Sequence, residues 1–147
     1  MTKRMILMGK VGSGKSTLIN AMLKNKTDSA KTQALCFYDM YIDTPGEYLE
    51  LRSMYKALIV TSADADVIGL IHACGDCDIR IPPMFASVFS KDVVGIITKT
   101  DLAKRPEDVS FVRDILSDAG VTRIFEVSSF TGDGLAELEE FMQRSEK

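Results

Sequence analysis

The chain has 147 residues, with 18 Lys plus Arg against 21 Asp plus Glu, a formal charge of −3 and 46% hydrophobic residues. That balance argues against nucleic acid or an anionic membrane as the main partner, and no apolar run approaches the length of a membrane span. Three cysteines without disulfide spacing, and an N-terminal stretch too short for a signal peptide, predict a cytoplasmic protein that folds as one domain over residues 1–147.

The elements alternate from end to end. An apolar strand, Arg4–Met8, leads through a glycine-rich turn into a helix starting near Lys15, with Leu18, Ile19 and Met22 on one face. Strand Met40–Asp43 precedes a helix near Glu47 with Leu51, Tyr55 and Leu58 at i, i+4, i+7 spacing. Strand Val67–Ile71, a helix near Pro82 and strand Val93–Ile97 follow. A helix from Pro106 then carries Val109, Val112 and Leu116, and Gly120 sits where a left-handed C-terminal cap belongs. Strand Ile124–Val127 and a helix from Gly134, with Leu135, Leu138 and Met142, complete the chain. The strands are apolar on consecutive positions, as in parallel sheets covered on both faces. The predicted fold is α/β: a doubly wound, mainly parallel sheet of five or six strands with helices on both faces, which binds ligands at the carboxyl ends of its strands.

The chemistry lies at those ends. Residues Gly9-Lys10-Val11-Gly12-Ser13-Gly14-Lys15-Ser16 form a complete phosphate-binding P-loop. Its glycines let backbone N–H groups wrap a phosphate, and the helix N-terminus adds partial positive charge. Lys15 is placed to bridge β- and γ-phosphates, and the Ser16 hydroxyl to hold Mg²⁺. Asp43, in Asp43-Thr44-Pro45-Gly46, is a second Mg²⁺ candidate, and the Gly46 N–H can meet a γ-phosphate. In Thr98-Lys99-Thr100-Asp101, the carboxylate can accept the guanine N1–H and N2–H pair while the Lys99 stem covers the base. Adenine offers no such pair. The loop Ser128-Ser129-Phe130 supplies a backbone N–H for the guanine carbonyl, and Thr17 and Leu102 complete the expected nucleotide contacts.

With these motifs in this order, residues Arg4 to Met142 resemble a small P-loop GTPase of the Ras/Era type. The detail resembles the EutP/PduV family of ethanolamine and propanediol utilisation. It is carried by Lys31-Thr32-Gln33-Ala34, Ile42-Asp43-Thr44-Pro45-Gly46-Glu47-Tyr48-Leu49-Glu50, Ala63-Asp64-Ala65-Asp66 and Gly95-Ile96-Ile97-Thr98-Lys99-Thr100-Asp101-Leu102. The resemblance implies GTP or GDP with Mg²⁺, a role beside bacterial microcompartments, and shell proteins or metabolic enzymes as partners. An acetate kinase activity is also attributed to the family. The alternative is therefore an ATP-dependent transfer of phosphate to a small acid, which would need a cation-lined pocket near Lys31 or Arg52. A third reading is a nucleotide-stabilised adaptor with negligible turnover.

Several residues depart from the GTPase pattern. Thr32, sixteen residues after Ser16, is the candidate for the threonine that completes the Mg²⁺ shell. Asp43 follows it by only eleven positions, so an edge strand near Gln33–Phe37 is expected to be short or absent. Glu47 stands where Ras-like proteins have a water-orienting Gln, and Val11 puts a branched side chain on the loop. Catalysis would fall to Lys15, Thr32, Gly46 and Glu47, and hydrolysis is expected to be slow, on the order of 10⁻⁴ to 10⁻² per second. Thr98 replaces the usual Asn. Cys74-Gly75-Asp76-Cys77 reads as a loop with incidental thiols, and His72 as a strand-end histidine.

Overall fold

The computed structural model describes residues 4–10, 12–26, 41–44, 53, 55–75 and 81–143. Among the described residues, five parallel strands form one sheet in the order β2-β1-β3-β4-β5: β1 Met5–Met8, β2 Tyr41–Asp43, β3 Val67–Ala73, β4 Asp92–Thr98 and β5 Arg123–Glu126. Each agrees with its predicted strand to within two residues. The register pairs Met5 with both Tyr41 and Val67, Val67 with Asp92, and Val94 with Arg123. All of β1 and β3 is buried, so these inner strands show no polar alternation.

Alternate residues feed two cores. On one face Met5, Leu7, Val67, Ile71, Val94 and Ile96 meet Leu18, Ile19 and Met22 of α1 (Lys15–Lys26), and Leu135, Leu138 and Met142 of α4 (Leu135–Gln143). On the other, Ile6, Met8, Ile68, Leu70 and Ile97 meet Leu58 of α2 (Tyr55–Ser62). Val112, Ile115, Leu116 and Ala119 of α3 (Pro106–Ala119) cover the same face. Helix α3 stops at Gly120 in the expected left-handed cap, with φ 97°. None of the described helices is long and apolar enough to cross a membrane.

The helix predicted near Pro82 is instead a 3₁₀ turn, Phe85–Val88. Pro83 disfavours the helical region at Pro82, and Met84 then adopts a left-handed conformation with φ 64°. The apolar spacing of Ile81, Phe85 and Phe89 is still used, because all three reach the core from an irregular connection. Phe85 stacks edge-on with both Tyr55 and Phe89. The helix start near Glu47 and the short edge strand near Gln33–Phe37 lie outside the described residues.

From β1 the chain runs to β2 at one edge, then returns to β3 on the other side of β1. This reversal opens a crevice beyond the carboxyl ends of β1 and β3. The P-loop follows β1 directly into that crevice.

Candidate nucleotide-binding site

The P-loop is held by its own backbone. Ser13 N–H donates to the Lys10 carbonyl at 3.1 Å, and Leu18 N–H to the Gly14 carbonyl at 2.8 Å, which starts α1. Gly12 and Gly14 have φ of 86° and 97°, values that turn successive N–H groups inward. A Cβ on Gly9 would sit 2.6 Å from Ser13 Oγ and 3.0 Å from the Ile71 carbonyl oxygen, so only glycine allows this approach to β3. The first turn of α1 carries no acidic residue, which leaves its positive end free for an anion. Lys15 is buried, and its Nζ donates to the Gly9 carbonyl at 2.8 Å, which folds the ammonium back across the loop.

The second motif is brought against the first by β4. Thr98 Oγ1 donates to the Ser13 carbonyl at 2.6 Å, and Lys99 Nζ to the Gly12 carbonyl at 2.9 Å. Lys99 has a left-handed backbone with φ 60°, which turns the chain into the 3₁₀ segment Thr100–Leu102. Thr100 anchors that segment to β5, since its hydroxyl and its N–H both reach the Val127 carbonyl, at 3.1 and 3.3 Å. Ser128 joins the remaining two motifs. Its Oγ donates to Asp101 Oδ1 at 2.7 Å and accepts from Thr131 N–H at 3.1 Å. Its backbone bonds with Asp133 and Gly132 close the loop. Gly14, Thr17, Thr98, Lys99, Asp101, Leu102, Ser129 and Phe130 thereby line one cavity of about 240 Å³.

The sequence reading missed Thr100, Thr131 and Thr44. Thr44 Oγ1 is buried and donates to the Leu7 carbonyl at 2.8 Å, tying the end of β2 to β1. Only the recurrence of threonine beside each motif hinted at these bonds. Asp43 ends β2 opposite Leu7, so its backbone lies close to the base of the P-loop. Ser16 is exposed at the start of α1. A hydroxyl here and a carboxylate from the neighbouring strand are hard oxygen donors of the type Mg²⁺ takes. Val11, Thr32, Gly46 and Glu47, together with Lys31 and Arg52, lie outside the described residues, as does the side chain of Asp43.

Cys74 is buried, and burial raises its thiol pKa above the usual range, the opposite of what a redox thiol needs. Cys36 and Cys77 lie outside the described residues, among which no group of three His, Cys, Asp or Glu could hold a metal.

Residues 2–144 match the family described as "Ethanolamine utilisation - propanediol utilisation", PduV-EutP. Over 144 residues the chain is 35% identical to the propanediol utilization protein PduV of Citrobacter freundii, covering 98% of this chain and 95% of that one. Over 143 residues it is 36% identical to a protein of Escherichia coli strain K12 named probable acetate kinase EutP, covering 95% and 89%. In fold it is similar to Aquifex aeolicus Era bound to GDP·AlF4⁻, with a TM-score of 0.64 at 21% identity, spanning 99% of this chain but 59% of that one. The five-stranded sheet with its P-loop is thus a P-loop GTPase fold, and the chain belongs to the PduV-EutP family of ethanolamine and propanediol utilisation.

Proposed function

We propose that the chain binds guanine nucleotides with Mg²⁺, hydrolyses GTP slowly, and acts as a switch or accessory factor in ethanolamine or propanediol utilisation. The observation that carries this reading is the bonding of Asp101 to Ser128 beside a P-loop braced by Thr98 and Lys99. One Asp101 oxygen accepts from Ser128, which fixes the carboxylate at the cavity wall with acceptor capacity left for a paired donor. Guanine presents such a donor pair and adenine does not. Bound Mg²⁺ would neutralise phosphate charge and orient the γ-phosphate; Ser16 and Asp43 are the residues to hold it, with Thr32 completing the shell. Lys15 would leave the Gly9 carbonyl for the phosphates, and the loop N–H groups would hold them in place.

Calorimetric titration with GDP and ADP tests base choice: GDP should bind at least ten times more tightly. Asp101→Asn should move that preference towards xanthosine diphosphate. Equal affinity for ADP, or an unchanged preference in the variant, would refute the assignment. Single-turnover GTP hydrolysis by the pure protein should fall at about 10⁻⁴ to 10⁻² per second. Acetate-dependent conversion of ATP to ADP would favour instead the phosphotransferase reading, which draws on the name of the Escherichia coli relative. Tight binding without turnover would favour the adaptor.

A further inference from the structure

We propose that the outward face of α2 is a self-complementary surface on which two copies of this chain pack about a two-fold axis. A surface helix ordinarily turns its apolar residues to the core and its polar ones to water. Helix α4 does so, with Leu135, Leu138 and Met142 buried while Glu137, Glu140 and Gln143 are exposed. Helix α2 does not. Its buried positions are Leu58 and Ser62, whereas Ile59 is 40% and Val60 69% exposed. Its two hydroxyls turn to its own backbone, Thr61 Oγ1 donating to the Ala57 carbonyl at 2.7 Å and Ser62 Oγ to the Ile59 carbonyl at 2.6 Å. The irregular connection before β4 enlarges this apolar face. It runs alongside α2, with the Phe85 ring centroid 5.2 Å from that of Tyr55, and Lys91 Nζ donating to the Ala63 and Ala65 carbonyls just past the helix end. Val88, between those two ties, is 49% exposed.

The occupant follows from the charges at the two ends of this face. Lys56, Val60 and Asp64 recur at every fourth position, so they share one stripe along α2 and the turn that closes it. That turn continues the winding of the helix, since Asp64 N–H donates to the Thr61 carbonyl at 3.2 Å. Lys56 and Asp64 are both exposed, and neither forms an ion pair with another described residue. Opposite charges thus stand four positions to either side of Val60. Laid antiparallel across the first, a second α2 brings Val60 against its own copy and Lys56 against Asp64 of the second copy, twice over. A two-fold interface has to complement itself in this way. An apolar centre with few charges is also the composition of homodimer interfaces.

Sedimentation velocity of the pure protein from about 5 to 500 µM should show a dimer that grows with concentration, as expected of a small interface. Val60→Asp, which the fold tolerates at so exposed a site, should leave only monomer. Lys56→Asp or Asp64→Lys alone sets like charges together at two places in the dimer, and should weaken it by about tenfold or more. The double variant, with the two charges exchanged, should restore the dimer, which a misfolded protein could not do. A wild type that stays monomeric throughout would overturn the proposal and leave this face to a different protein. A dimer indifferent to Val60→Asp, or a double variant no stronger than the single ones, would overturn it equally.

Discussion

Thr98 separates two duties that an asparagine at this position would combine. Its hydroxyl keeps the brace to the Ser13 carbonyl, but a threonine has no amide to turn towards a base. With a guanine nucleotide bound, as proposed, the loss would fall on the base edge rather than on the P-loop. His72 poses a different question at the same scale. Its Nδ1 lies 3.0 Å from the Ala73 carbonyl, and the tautomer that donates there leaves Nε2 a buried acceptor without a partner among the described residues. A buried polar atom left unpaired costs about 1–3 kcal/mol. His72→Leu should therefore leave stability unchanged or raise it by up to about 2 kcal/mol, measured by urea denaturation. A loss of that size would show that the ring's bond to the Ala73 carbonyl and its packing outweigh the cost of the unpaired Nε2.

Among the elements, α3 shows how a loop is turned into a helix start. Asp108 accepts from the N–H groups of Lys104 at 2.9 Å and Arg105 at 3.2 Å, and the Arg105 guanidinium lies 3.5 Å away. The Lys104 N–H, followed by the Arg105 contacts, holds the Asp108 carboxyl below its usual range. A depressed native pKa gives stability that is present above the unfolded value and lost as pH falls through the folded one. Asp108→Ala should lower the urea midpoint at pH 7, and its difference from wild type should shrink as the pH drops below about 4. A difference that persists in acid would mean the carboxylate charge is not the source. The connection between β3 and β4 contrasts with this helix. Its Pro-Pro-Met sequence cannot propagate a helix, although its apolar spacing is helical, and Ile81, Phe85 and Phe89 cover the sheet without one.

For the whole molecule, the site is a meeting of three segments that follow β1, β4 and β5, so nucleotide and fold should be strongly linked. GDP at about 100 times its Kd should stabilise the protein by about 2.7 kcal/mol and raise Tm by roughly 5–10 °C. Lys15→Ala should abolish most of that shift in differential scanning fluorimetry; a full shift in the variant would place the phosphates elsewhere. The strands and the P-loop were legible because their signals are local: consecutive apolar residues in Met5–Met8, and glycines whose spacing is set by a single turn. The Pro82 segment was misread because periodicity records which residues are buried, not the backbone that buries them. Sequence alone thus determined the order of the motifs, the alternating α/β pattern and the chemistry each motif offers. Only the tertiary structure decided which motifs touch. Thr98 bonds a carbonyl 85 positions earlier, and Ser128 bonds Asp101 from the next strand. Those contacts follow from strand order and register, which depend on packing across the whole sheet and are not written in any one segment.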